Sequence, residues 1–291
     1  MNLFKRPEQF EISKQPELSE RRKKITRTLL LPAIGLLSYC GFLITNIPAD
    51  KLWSQLSAGQ RSVQLTGITG TVWSGVAESV TIRVSGNTLV LPSVRWSLKV
   101  APFLMGKLKV DWDLGSATSD IEGQGTFTLS NQAMRLENVT LDTTPDWLVS
   151  AIGYPVPGDL SGNIVVQLDT LDLSNNGCDE GQGNIAITNS QLTSPFGQFD
   201  FGNSVAKLSC QDQKLMATVE QKSTLFISEG AFQVELSGRY SFTGKMTPDI
   251  SMPNAMKKGL GFMGMGRPDS QGSYSLNFRG SVRLPTFRSA A

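Results

Sequence analysis

From Gln60 onward the apolar residues of this chain recur at every second position, and no other feature narrows its fold as much. Val80, Ile82 and Val84, then Val94, Trp96, Leu98 and Val100, then Leu108, Val110, Trp112 and Leu114 are interleaved with Arg83, Arg95, Lys99, Lys107, Lys109, Asp111 and Asp113. Side chains alternate across a strand, so this pattern writes one greasy face and one wet face and does not fit the 3.6-residue period of a helix. Similar runs follow at Phe127/Leu129, 136–141, Ile164/Val166/Leu168, Ile185/Ile187, Leu215/Ala217/Val219, Phe232/Val234/Leu236, Tyr274/Leu276/Phe278 and Val282/Leu284. Ser85-Gly86-Asn87 and Asn175-Asn176-Gly177 supply turns at hairpin spacing. Residues 60–291 are therefore expected to be mainly β, a large antiparallel meander of a dozen or more strands. Glycines inside strands mark bulges and bends, which predicts a curved sheet.

Helical signals are few. Thr144-Pro145-Asp146-Trp147 offers an N-cap with Pro at the first helical position, and Gly153 closes the element two turns later. A second short helix is expected from Pro253 into the Gly/Met stretch that ends at Gly266. Two sequence echoes bear on organisation: 121–131 (IEGQGTFTLSN) matches 179–189 (DEGQGNIAITN) at an offset of 58, and Pro145…Gly153…Asp159-x-x-Gly162 matches Pro253…Gly261…Asp269-x-x-Gly272 at 108 to 110. They fit a domain of two related modules. Chance likeness between Gly-rich strand starts is the competing explanation.

Ahead of the β region stands LLLPAIGLLSYCGFLITNI, residues 29–47, inside a stretch from Thr28 to Ala49 without charge. At helical rise it covers roughly 28 Å, about the hydrocarbon thickness of a bilayer. A buried core helix of this length would carry a polar face. A cleaved signal peptide would have shorter basic and apolar regions and a small-x-small triplet behind them. The expectation is an uncleaved transmembrane signal anchor at 29–48. Residues 1–28 hold eight basic and four acidic groups, net +4, while the rest of the chain holds 19 and 21, net −2. The cluster Arg21, Arg22, Lys23 and Lys24 then sets the arm 1–28 in the cytoplasm, followed by a juxtamembrane linker at 49–59 and an extracytoplasmic β-domain at 60–291. With its excess positive charge confined to the arm, the β-domain is not expected to bind nucleic acid.

The chain has no histidine, which removes Ser-His-Asp and Cys-His catalysis and imidazole acid-base chemistry near neutral pH. Gly259-x-Gly261-x-x-Gly264 lacks the preceding buried strand and following helix of a dinucleotide site, since Pro253 and Pro268 flank it. Asp111/Asp113 and Asp169/Asp172 fall on solvent faces or in loops. No catalytic residue, cofactor, metal or small-molecule substrate is expected. Cys40 lies in the expected anchor, leaving Cys178 and Cys210 to form a disulfide in an oxidising compartment, against the alternative of two buried thiols.

Three further features occur in order along the chain. The apolar segment runs into IPADKLW; Gly67-x-x-Gly70-x-x-Trp73-Ser74-Gly75 is followed by Val94-Arg95-Trp96 and a Leu-x-Gly turn at Leu104 to Gly106; and a Leu-Gly…Gly-x-Tyr-x-Leu-x-x-x-Gly pattern closes at Gly280. In these the chain resembles the type II secretion system protein N family over roughly residues 29–285. The resemblance implies a bitopic inner-membrane protein, an accessory part of the machinery that exports folded proteins across the outer membrane. The implied partners are inner-membrane platform proteins and the outer-membrane secretin, and the family brings no catalytic residues. A non-catalytic scaffold is the leading expectation, in which Gly67, Gly70 and Gly75 set bends, Trp73 and Trp96 are inward anchors, and Arg95 belongs to the strand motif. The alternative is a periplasmic lipid-binding or lipid-transfer groove, which predicts a continuous unfilled trough where a scaffold predicts an apolar face filled by its own core.

Overall fold

In the computed structural model residues 32, 34–57, 63–84, 87–116, 118–153, 156, 158–195, 197–260 and 266–281 are described. The chain falls into two units that divide between Ile47 and Pro48. The first contains helix α1, residues 34–45. Its large apolar side chains, Ile34, Leu36, Leu37, Tyr39, Phe42, Leu43 and Ile44, are 49–72% exposed. At about 100° per residue they are spread round the whole circumference, so no charged side relieves them. Among the described residues no helix is long and apolar enough to cross a membrane. Residues 29–31 and 33 of the expected span lie outside the described set, as do Arg21, Arg22, Lys23 and Lys24.

The second unit opens with α2 (Ala49–Leu56), where a linker was expected. Ala49, Leu52, Trp53 and Leu56 stand at i, i+3, i+4 and i+7, the spacing of one helical face. Ala49 is buried and the helix rests on β2.

Fourteen strands follow: β1 (Val63–Thr66), β2 (Thr69–Gly70), β3 (Ser74–Val84), β4 (Asn87–Leu98), β5 (Leu108–Leu114), β6 (Ile121–Leu129), β7 (Ala133–Thr143), β8 (Asp159–Ser174), β9 (Gly177–Ser194), β10 (Gly197–Gln211), β11 (Lys214–Lys222), β12 (Phe226–Val234), β13 (Arg239–Pro248) and β14 (Tyr274–Ser281). From β3 to β14 each strand pairs antiparallel with the next, and β1 and β2 both pair with the outer side of β3 as one interrupted edge. The meander order follows from the short turns, since strands joined by two or three residues have only an antiparallel neighbour within reach. Helices α3 (Val100–Leu104), α4 (Pro145–Ile152) and α5 (Asn254–Leu260) interrupt it after β4, β7 and β13.

The alternation of the sequence becomes two faces in the ladders. Val94, Trp96 and Leu98 lie opposite Leu114, Trp112 and Val110, while Arg95 and Ser97 lie opposite Asp113 and Asp111. Between strands the substantial contacts are those of hydrogen-bonded neighbours, with a lesser approach of β9 to β11 across β10. Among the described residues no second sheet packs on the first, and no large side chain is fully buried. The most continuous core lies at one end of the sheet, where α5 and the residues before it join Met246, Met252, Leu260, Tyr274 and Leu276.

Helix α4 lies against the apolar face and touches both β4 and β8. Register shifts in β6/β7, β8/β9 and β9/β10 add local bends.

The two sequence echoes fare differently. The 58-residue pair falls on β6 and β9, three strands apart and so running in opposite directions, which a translational repeat does not allow. The 108 to 110 pair falls on the β7/β8 and β13/β14 connections, which run in the same direction at the same end of the sheet, but Asp159 and Gly162 stand in β8 whereas Asp269 and Gly272 precede β14, and Gly261 lies outside the described residues.

Candidate functional site

The apolar face carries the most distinctive surface of the molecule. Across β4 to β8 it is built from Val94, Trp96, Trp112, Phe127, Leu141 and Val166, each set by the pairing register. Most are half-buried. Glycines make room for the indoles. Gly75 faces Trp96 across the β3/β4 ladder, and a Cβ there would run into the Trp96 ring. Gly125 faces Trp112 in the same way, and a Cβ there would stand 3.0 Å from the ring and 2.8 Å from Val139.

Helix α4 roofs one part of this face. Thr144 Oγ1 accepts from Trp147 N at 3.2 Å, Pro145 occupies the first turn, and Gly153 terminates the helix at φ 67°. These three residues fix the helix over the end of β8, as their types demand. Beneath it lies a cavity of about 420 Å³ lined by Leu91, Val94, Trp112, Leu141, Trp147 and Ile164 among others. Its one hydroxyl, on Thr143, donates to the Asp120 carbonyl at 2.9 Å and is not offered to the cavity. A wall of this kind favours methylene and aromatic carbon and holds no group that transfers a proton or an electron pair.

The polar face is the chemical opposite. Arg95 Nη2 meets Asp113 at 2.7 Å, Lys99 meets Asp111 at 2.7 Å, Lys109 reaches over β6 to Glu137 at 3.3 Å, and Arg135 pairs with Asp172. The Lys99 ammonium, hydrogen-bonded to Asp111, holds that carboxyl below its usual range, and the Thr126 hydroxyl adds to the effect at 2.8 Å. Asp111 and Asp113 are thus separate halves of cross-strand ion pairs rather than a general acid and base.

The residues singled out from sequence fall mainly at the β2/β3/β4 corner. Gly67 and Gly70 take φ 61° and 93° in the turns that join β1, β2 and β3, a region where L side chains are strained. Trp73 lies in the bend before β3, outside any strand, with its ring edge-on to Phe103 at 5.8 Å. Trp96 donates its indole N–H to the Val72 carbonyl at 3.1 Å, tying β4 to that bend. Cys178 and Cys210 form a disulfide with Cα atoms 5.5 Å apart, joining β9 to β10 at the end of the hairpin away from its turn. Sequence reasoning passed over the tip of α3, where Phe103, Leu104 and Met105 are 51, 81 and 75% exposed. The available signal was an apolar run placed at a turn instead of along a strand.

A family model described as "Type II secretion system (T2SS), protein N" matches residues 61–277. Among curated proteins, the "Type II secretion system protein N" of Aeromonas hydrophila is 28% identical over 256 residues, covering 87% of this chain and 98% of that one. Its namesake from Vibrio cholerae serotype O1 is 25% identical over 241 residues, 82% of this chain and 93% of that one. That of Pectobacterium carotovorum subsp. carotovorum is 28% identical over 259 residues, 89% and 97% of the two chains. No solved structure matches.

Proposed function

Because this chain belongs to the type II secretion system protein N family, and so is a component of that system, we propose that it acts there as a non-catalytic scaffold anchored in the inner membrane. In this reading residues 29–48 span the bilayer, residues 1–28 stay in the cytoplasm, and the β-domain stands in the periplasm, where it supports the export of folded proteins. Its partners are other secretion components, among them inner-membrane platform proteins and the secretin. The observation that carries the scaffold is the pair of strand edges, β1 and β14, without a hydrogen-bonded neighbour among the described residues; the apolar face, which a scaffold was expected to fill with its own core, is instead left largely uncovered and counts toward the second reading below. Open edges are how β-domains add partners. The anchor is supported by α1, whose apolar side chains are exposed on every side. A photocrosslinker placed along β14 and the apolar face in cells should capture a secretion component, and deletion should abolish export. Normal export without the protein would sink the reading.

A second reading, a lipid-binding or lipid-transfer groove, is favoured by the carbon-lined cavity under α4 and by the unfilled trough around it. Mass spectrometry of gently purified protein distinguishes the two: stoichiometric phospholipid favours the groove, and its absence favours the scaffold.

A further inference from the structure

We infer that the α3 tip, the connection between β4 and β5, dips into the surface of an anionic bilayer beside the point where the anchor enters the β-domain. The inference rests on the anchor reading above. The tip is unusually greasy for a turn: Val100, Phe103, Leu104 and Met105 are 49, 51, 81 and 75% exposed. It is also rigid. Met105 N and Lys107 N both donate to the Pro102 carbonyl at 3.0 Å, Gly106 N donates to Phe103 at 3.0 Å, and Gly106 takes φ 73°. The Phe103 ring is braced edge-on by Trp73. Apolar side chains held outward by their own backbone hydrogen bonds keep their exposed surface in water, at a steady cost, until something apolar receives them.

Charge and connectivity select the receiver. Residues 97–110 contain Lys99, Lys107 and Lys109 and no acid. Lys107 has no ion pair among the described residues, whereas Lys99 and Lys109 are engaged by Asp111 and Glu137 on the polar face. An exposed apolar tip with Lys107 beside it, outside any ion pair among the described residues, matches the boundary between acyl chains and anionic headgroups. The chain itself enters this corner: Pro48, one residue after the apolar segment ends, bridges to Thr71. Thr71 N donates to Ser74 at 2.8 Å, and Leu98 N donates to the Trp73 carbonyl at 2.6 Å, two residues before α3 begins. The entry point and the tip are thus joined through one tight turn. Trp53 in α2, half-buried at the same corner, is the residue type that collects at membrane–water boundaries.

The test uses the full chain with Cys40→Ser and an intact Cys178–Cys210 disulfide, reconstituted in nanodiscs of phosphatidylethanolamine and phosphatidylglycerol. A polarity-sensitive fluorophore is placed in turn at Leu104→Cys, at Leu37→Cys in the anchor, and at Thr118→Cys on the opposite end of the sheet. Expected is a blue-shifted emission at 104 that loses most of its intensity with doxyl-labelled lipid, the same at 37, and neither at 118. Quenching at 37 without quenching at 104 overturns this inference and leaves the anchor standing. Quenching at neither overturns both. A probe at 104 that is water-exposed in nanodiscs yet shielded from iodide in native membranes overturns the bilayer in favour of a protein partner.

Discussion

Breaking the Cys178–Cys210 disulfide should loosen one hairpin and leave the far strands of the sheet alone. The crosslink closes the open end of β9/β10, so the loop it removes from the opened state is that hairpin, with a sequence separation of 32. The chain-entropy expression then gives roughly 12 cal/mol/K, about 3.7 kcal/mol at 25 °C. At 1.36 kcal/mol per decade this corresponds to roughly 500-fold faster exchange for amides that exchange by opening that hairpin. The strands touch mainly their immediate neighbours. Such a stack is stabilised by a sum of local and nearest-neighbour terms, as in repeat proteins, so a defect fades within a strand or two. Hydrogen exchange with mass spectrometry on oxidised and reduced protein tests this, with Cys178→Ala/Cys210→Ala as a check on incomplete reduction. The gain should centre on β9 and β10, fall through β8 and β11, and vanish by β4 and β14. Tryptophan fluorescence should barely register the loss, because Trp53, Trp73, Trp96, Trp112 and Trp147 all precede β8. A uniform loss of protection from β3 to β14, or an equal shift in the tryptophan transition, would refute the nearest-neighbour argument.

Gly75→Ala drives a methyl into the Trp96 ring and to 2.7 Å from the Thr69 carbonyl, and should lower stability by about 1–3 kcal/mol in denaturant titrations followed by fluorescence. No change would mean that the indole has room to leave the face. Thr144→Ala removes the hydroxyl that caps α4 and should cost about 1 kcal/mol, seen as faster exchange in residues 145–152 with the sheet unaffected. Acid should unfold the β-domain only at low pH. Lys99 lowers the pKa of Asp111, while the Ser273 N–H and Lys245 lower that of Asp269, so each contributes stability that is complete above the unfolded value of about 3.9 and is lost as pH falls through the lower folded value. Thermal midpoints should therefore be flat from about pH 8 to 5 and drop below about 4; a drop between 5 and 7 contradicts this, since no histidine titrates there.

The parts of the structure that local rules govern were legible in the sequence. Val94-x-Trp96-x-Leu98 against Val110-x-Trp112-x-Leu114 is the alternation of two paired strands, and it appears as the β4/β5 ladder without adjustment. Thr144, Pro145 and Gly153 carry their helix-end functions in their own chemistry, and α4 begins and ends where they stand. Other features depend on what lies across space. Alternation says which side of β6 is apolar, but whether a second sheet covers that side is a matter of global topology, and among the described residues none does. Residues 49–56 carry the helical i, i+3, i+4, i+7 pattern over a single span too short to outweigh a linker reading. Trp73, expected as an inward anchor like Trp96, stands instead in the bend before β3, between the Gly70 turn and the edge of Phe103. The 58-residue echo matched residue types while the meander reversed their direction, which composition along a chain does not reveal.

The two faces also indicate where a partner is recognised. On the polar side Arg95, Lys99, Lys109 and Arg135 each have a carboxylate from the same sheet, so these four cations form solvated pairs of little individual strength. On the apolar side of β10 to β12, Leu208, Ala217 and Phe232 form one cross-strand row in which Ala217 is buried and the two larger side chains are half-buried. On the scaffold reading a partner would meet the trough or the sheet edges. This narrows the choice between scaffold and groove to the identity of one occupant. A protein partner that fills the trough must exclude lipid from it, and a lipid that fills it must exclude the partner's apolar side chains. Crosslinking from Leu208 in the presence of rising phospholipid separates them: capture of a protein that declines with lipid means the two compete for one surface, whereas capture independent of lipid assigns the trough to the partner alone.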